Sequence, residues 1–290
     1  MPELPEVETV RRDLEKEIVG ATITKVWVSP RWASLAHVKF PGHRAFRQRV
    51  VGRRIERLER RGKYLIFHLD NGYLIFHLGM SGQLLVNPKS EIPDSSGLAP
   101  SRSRNLKSEK HRHALFTFAD GRTLRFIDPR TFGELRAVSD LSELSGLRHM
   151  GPEPFDETFT WRQFADVLQK KQVKIKAALL DQRVMAGIGN IYADEALFES
   201  GVHPERLCAT LTNDEARRLL RAVRSVLRRA IAGRGTTLTD SRYRDAFGKE
   251  GGHRPKVYGR TGEPCVRCGS TIRRGVLGGR SFHYCPKCQT

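Results

Sequence analysis

Four of the five cysteines fall in two CxxC pairs near the chain's end, Cys265-Val266-Arg267-Cys268 and Cys285-Pro286-Lys287-Cys288, with sixteen residues between the pairs. No other feature restricts the local fold as strongly. Each pair can clamp one side of a tetrahedral ion, and four thiolates leave no open coordination position. The pattern therefore predicts one structural zinc that folds the segment and takes no part in chemistry. The residues after Met1 read as charged helix, not as an apolar leader, so a reducing cytosol (in a bacterium, with the nucleoid) is expected, and a disulfide framework is not. The stretch RRGVLGGRSFHY between the pairs reads as a β-hairpin with Gly278-Gly279-Arg280 at its tip. Arg280 there either reaches a phosphate or is simply exposed. Cys208 stands apart and reads as a small apolar residue, not a nucleophile.

With 290 residues the chain can form two domains, each with a real core. Val7, Val10, Leu14 and Ile18 recur at helical spacing over residues 3–19, and Gly20 ends the run. From Ala21 the pattern changes to short strands. KYLIFHL and YLIFHL flank Asp70-Asn71-Gly72, and ALFTF and TLRF flank Asp120-Gly121; both are hairpin signals. Residues 21–138 thus predict antiparallel structure in two packed sheets, interrupted by a mobile surface loop at 87–110 rich in Pro, Ser, Lys and Arg. A short helix is expected within 141–149. Gly151-Pro152-Glu153-Pro154 then breaks the chain. Helical periods follow over 161–168, 175–180, 191–200 and 214–231. The expected organisation is α+β: an N-terminal helix and β-sandwich in 1–150, helices in 151–232, a glycine-rich loop and linker in 233–260, and the zinc segment in 261–290.

The formal net charge of +19 predicts a polyanionic partner, most simply nucleic acid. A membrane partner is not expected, because no long apolar segment is present. The helix over 214–231 carries six arginines, Arg217, Arg218, Arg221, Arg224, Arg228 and Arg229, a face that suits either solvent or DNA. Met80, set between glycines in HLGMSG, is either core or a wedge for a base stack. Asp128-Pro129-Arg130-Thr131-Phe132-Gly133 offers a cation and an aromatic on one turn. Gly187-Ile188-Gly189-Asn190 has the form of a phosphate-gripping turn before a helix. Lys63 begins a strand after Arg60-Arg61-Gly62. His111 and His113 alternate at a strand start, with no third metal ligand nearby. The opening MPELPEVETV combines prolines with Glu3, Glu6 and Glu8. First-turn helix preference accounts for that composition, and so does chemistry. Once Met1 is removed, Pro2 carries a free α-amine with a pKa of roughly 8, against about 10.4 for lysine. Such an amine can attack a sugar aldehyde carbon and form an iminium, which acidifies the adjacent C–H.

Taken together, PELPEVETVRR, RRGKYLIFHL, HLGMSG, EKHRH, DPRTFG, MGPEPF, AGIGNIYADEALF, GVHP, GTTL, VYGRTGEPC and the CxxC pairs resemble the bacterial formamidopyrimidine-DNA glycosylases over nearly the whole chain. The resemblance implies a β-sandwich domain, a helix–two-turn–helix domain and a zinc hairpin. It also implies a bifunctional DNA glycosylase and AP lyase that excises oxidised purines from damaged duplex DNA, as a monomer, with one zinc and no organic cofactor. By position it implies Pro2 as the Schiff-base nucleophile, Glu3 as the acid that helps open the sugar and Glu6 in support. Lys63 matches the lysine of β-elimination and phosphate contact, and Arg280 the arginine of δ-elimination. His111, Arg130, Lys171 and Asn190 match backbone contacts. Met80, Arg130 and Phe132 match the residues that fill the gap left by the everted base. Tyr243 falls in the segment that closes on the lesion. Thr131 stands where many relatives carry a second basic residue, and the loops at 87–110 and 245–253 are longer than expected. Two rival readings are an endonuclease VIII-type enzyme for oxidised pyrimidines and a non-catalytic DNA-binding protein.

Overall fold

A computed structural model describes residues 2–35, 42–87, 110–238 and 243–290. Most of the long loop expected at 87–110, residues 88–109, lies outside the described residues. Two compact units are present: Met1–Pro2, Glu6–Leu147 and Thr237–Gly252 form the first, and Glu3–Pro5, Arg148–Thr236 and His253–Thr290 the second.

In the first unit, α1 (Leu4–Ile18) sends its apolar stripe inward, with Val7, Val10, Leu14 and Ile18 all fully buried. One antiparallel sheet has the order β2-β3-β4-β8, formed by Ile55–Arg61, Tyr64–Leu69, Tyr73–His77 and Glu134–Val138. The other has the order β1-β6-β7-β5, formed by Ile23–Val28, Arg112–Phe118, Thr123–Ile127 and Gln83–Val86. Both expected hairpins form, β3–β4 and β6–β7. Phe76 packs edge-on against Phe116 and Phe126 from the opposite sheet, each at 5.8 Å, and so joins the two layers. The outer face of β3 and β4 is covered as well. Ile66 and Ile75 are buried with Val138 and Leu144, which explains strands apolar on both faces.

Two short helices interrupt the stretch that reads as continuous β-structure, α2 (Pro30–Ala33) and α3 (His43–Val50). Helix α3 buries only Phe46 and Val50, one turn apart. The segment Thr237–Gly252 belongs to the first unit because Tyr243 and Ala246 are buried in its core.

A single-turn helix, α4 (Ser145–Arg148), ends the first unit's main segment, and the second unit carries α5 (Trp161–Gln169), α6 (Ile175–Leu180), α7 (Asn190–Ser200) and α8 (Asn213–Ala232). Capping boxes start α5 at Thr160/Gln163 and α8 at Thr212/Glu215. Part of the basic face of α8 is used inside the fold. Arg224 donates to the backbone oxygens of Pro154, Asp156 and Phe159, Arg228 lies over the Phe155 ring, and Arg229 pairs with Glu199. These three cations hold the unit together and do not simply face solvent. A two-stranded hairpin, β9 (Arg273–Leu277) and β10 (Arg280–Tyr284), closes the chain. Among the described residues no helix is long and apolar enough to cross a membrane.

Candidate active site

The second residue and the third have different surroundings. Pro2 is buried and groups with the first unit, whereas Glu3 is 1% exposed and groups with the second. Helix α7 starts with no side-chain cap of its own, and its open N–H groups are taken by the Glu3 carboxylate. Gly189 N, Ile191 N and Tyr192 N donate to it at 2.8, 2.9 and 3.4 Å. Gly187-Ile188-Gly189-Asn190 does grip an anion, then, but the anion is the chain's own carboxylate and not a phosphate. Two glycines make room for this. A Cβ on Gly189 would lie 2.4 Å from Glu3 Cδ. Gly187 has φ +84° and a Cβ there would meet Leu4 at 2.8 Å. Gln182, which the sequence reading passed over, shapes the turn by donating to Ile188 O and accepting from Gly187 N, both at 2.8 Å.

In the first unit Glu6 is buried on α1, and Lys63 is buried at the turn into β3. Glu8 connects the two elements. Its carboxylate accepts from Arg11, Arg12 and Arg60, and Arg60 also donates to Gly62 O, one residue before Lys63. Burial works against the charge on Glu8, but the guanidinium hydrogen bonds outweigh it and hold its pKa below the usual carboxylate range. Burial pushes the His77 pKa down; the Glu134 carboxylate works against that shift, and the nearby Lys63 cation acts with it.

Met80 and Phe132 are both exposed, at 36% and 50%, and their two turns are joined. Gly79 has φ +56°, and a Cβ there would lie 2.6 Å from the Phe132 carbonyl. The absence of a side chain lets the two backbones touch. Asp128, fully buried, accepts from Ser81 Oγ at 2.5 Å on the Met80 side and from Gly133 N at 2.7 Å on the Phe132 side. The Arg130 guanidinium sits 5.2 Å from the Phe132 ring centroid. Thr131 has φ 59°, a left-handed conformation that a β-branched residue adopts only when its surroundings hold it there. His111 is half-buried at the edge of β6. His113 points inward, stacks on Trp32 at 5.4 Å and donates to Asp128 O at 2.7 Å.

In the second unit Lys171 pairs with Asp181 at 3.7 Å, and Asn190 Nδ2 donates to Ser281 O at 3.0 Å. Asn190 Oδ1 is buried with no protein partner. Arg280 is exposed at the hairpin tip, preceded by Gly278 and Gly279, both at positive φ. All four cysteine sulfurs of the C-terminal pairs lie within 4.8 Å of one another. Cys265 and Cys288 are 4.0 Å apart, and Cys268 and Cys285 3.5 Å. Thiolates at ~2.3 Å from a tetrahedral zinc stand about 3.8 Å apart, so this donor set fits the ion. Bound there, zinc supplies folding energy to the hairpin. Cys208 is buried elsewhere, and burial pushes its thiol up to about 11, as suits a packing residue.

Residues 1–135 match the formamidopyrimidine-DNA glycosylase N-terminal domain, 150–241 the H2TH domain of the same enzymes, and 262–290 the zinc finger found in FPG and IleRS. The formamidopyrimidine-DNA glycosylase of Herpetosiphon aurantiacus is 44% identical, with 100% of each chain covered. The chain belongs to the formamidopyrimidine-DNA glycosylase family. The family enzyme of Heliobacterium modesticaldum is 43% identical over 100% of both chains. Among solved structures, the MutM (Fpg) protein of Thermus thermophilus superposes with a TM-score of 0.83 at 40% identity, covering 99% of this chain and 98% of that one. The Lactococcus lactis Fpg in complex with DNA containing an abasic site gives 0.81 at 35% identity, covering 99% of each.

Tyr243, expected in the segment that closes on the lesion, has a buried setting. Tyr243 is 5% exposed and packs in the core of the first unit, with its hydroxyl 3.5 Å from Glu6 O. Burial raises its pKa well above that of an ordinary phenol, and the nearby Glu6 carboxylate raises it further. Its ring therefore does not project from the glycine-rich loop. The long run at 245–253 is a compact turn built on buried Asp245, which accepts from Phe247 N and Lys249 N, and it leaves Phe247 39% exposed.

Proposed function

We infer that this chain is a DNA glycosylase and AP lyase that removes oxidised purines from duplex DNA, acting as a monomer. The observation that carries the reading is the carboxylate of Glu3, fixed by three backbone N–H groups immediately after Pro2. In this reading residues 1–150 carry the chemistry, 151–232 and 261–290 grip the backbone, and 233–260 meets the lesion.

Each step balances on residues of the chain. Freed of Met1, the Pro2 nitrogen gives its lone pair to C1′ and loses its proton. The C1′–base bond breaks, and the base departs with the electron pair and a proton. Glu3, protonated at the start of the step, gives that proton to O4′ as the ring opens and C1′=N⁺ forms, and the carboxylate left behind is held by the N–H groups of the turn. Glu6 supports that cation from the next turn. The iminium acidifies C2′–H, and Lys63 serves the proton transfer as the C3′–O bond breaks and the 3′ phosphate leaves. The extended conjugation then acidifies C4′–H, and the C5′–O bond breaks in turn. Arg280 stabilises the second departing phosphate electrostatically, since a guanidinium keeps its proton. Met80, Arg130 and Phe132 fill the stack once the nucleotide is turned out, an eversion that costs a few kcal/mol. His111, Lys171 and Asn190 contact the phosphates.

The deciding experiment is strand scission on a panel of single-lesion duplexes. Scission at 8-oxoguanine and formamidopyrimidine sites in preference to thymine glycol is expected. The opposite preference would make the chain an endonuclease VIII-type enzyme, and binding without scission a non-catalytic one. A second prediction concerns the turn. Gly189→Ala should displace the Glu3 carboxylate, the flexible member of the clash, and forfeit charge-assisted hydrogen bonds worth about 1.5–3 kcal/mol. Excision should fall on the order of a hundredfold while the chain stays folded. Undiminished excision by a folded Gly189→Ala chain would remove Glu3 from the reaction.

A further inference from the structure

A buried ion pair lies behind the hairpin. Lys176 on α6 and Asp194 on α7 are 1% and 0% exposed, and they are bonded to each other. Asp194 also accepts from His283 N at 2.9 Å and faces His283 Nδ1 at 3.1 Å. Lys176 Nζ donates to Ser281 O at 3.2 Å, the same carbonyl that Asn190 Nδ2 reaches. Strand β10 is therefore fastened at residues 281 and 283 by side chains of two helices. Its partner β9 is largely exposed. Arg280 is the residue immediately before the first fastening, and the two positive-φ glycines before it give no rigidity of their own.

A buried ion pair is a poor source of net stability, because desolvation consumes most of its Coulombic gain. What it supplies here is direction: two fixed donors and acceptors that a pair of apolar side chains would not offer. Burial lowers the Lys176 pKa against the pull of Asp194 and Glu3, and the Arg280 cation lowers it further. The ammonium thus lies in the electrostatic field of Glu3 and of Arg280.

We propose that Lys176 and Asp194 are positioning residues that hold the strand bearing Arg280 through the Ser281 carbonyl and the His283 backbone, and so set how far the reaction proceeds beyond the first elimination. This rests on the role given to Arg280 above. On a duplex with one abasic site, Lys176→Met should keep one zinc per chain and a borohydride-trapping rate within about twofold of wild type. The ratio of δ- to β-elimination product should fall on the order of tenfold. In an Arg280→Ala background, Lys176→Met should lower that ratio no further, because both changes act through one group. Asp194→Asn, which keeps the shape and removes the charge, is measured in parallel and read in the same way. An unchanged ratio in a zinc-loaded variant overturns the proposal, as does an additive loss in the double variant. Loss of zinc in both single variants also overturns it, since the pair is then a folding element only. Failure of the wild type to trap, or an undiminished δ product in Arg280→Ala, would instead refute the underlying reading.

Discussion

Borohydride should trap the processed chain on an abasic duplex, and a chain that retains Met1 should trap hardly at all. Acylation turns the proline nitrogen into a planar amide whose lone pair is delocalised into the carbonyl. No conformational adjustment restores its nucleophilicity, so the expected loss is at least on the order of a thousandfold. Pro2→Gly, fully processed, keeps an α-amine of roughly pKa 8 but lacks the ring that fixes its direction. Trapping by that variant should fall by about ten- to a hundredfold and remain measurable. Mass spectrometry of the reduced adduct should place the sugar remnant on residue 2. A remnant on Lys63, or equal trapping by the capped chain, would show that the nucleophile lies elsewhere.

The second large effect is expected from zinc removal. Cys265 and Cys285 lie in one small apolar cluster with Phe198, Val257 and Ile272, and Arg267 stacks on Phe198 at 4.4 Å. Without the ion, four thiolates or thiols must share a space that fits only a shared cation. Structural zinc in comparable peptides is worth roughly 10–16 kcal/mol at neutral pH, far more than that cluster can replace. A strong chelator, or Cys285→Ser, should melt β9 and β10 while the β-sandwich persists. Duplex binding should weaken at least about tenfold and the δ product disappear. Zinc release titrated with a thiol reagent should give one ion per chain. Native-like amide protection of residues 273–284 in the apo chain would contradict this account.

Much of the fold could be read from local signals. Asp70-Asn71-Gly72 and Asp120-Gly121 specify their hairpins because the glycines there have φ +84°. The cysteine spacing specifies the zinc segment for a similarly local reason. Features set by tertiary partners could not be read in the same way. Helix α3 carries two buried apolar residues among four cationic or amide ones, too weak a stripe to announce a helix. Tyr243 sits in a basic, glycine-rich context that suggests exposure, and only the packing of the first unit buries it. Among the site residues, Pro2 and Glu3 stand out through their composition. Glu8, Asp128 and Lys176 do not, because each holds a partner distant in sequence, and Gln182 does not, because its bonds to the nearby GIGN turn depend on how that turn folds. The GIGN turn shows the limit most clearly: a grip on an anion is legible in its glycines, and the Glu3 carboxylate that it holds is not.

The Asp128 carboxylate has a consequence for any redesign of Met80 and Phe132 in the stack-filling role proposed for them. Because it is tied to both turns, Met80 and Phe132 advance or withdraw as one piece, like two tines on a single handle. Their reach is therefore not tuned separately by loop length on either side, and loosening the shared joint blunts both at once.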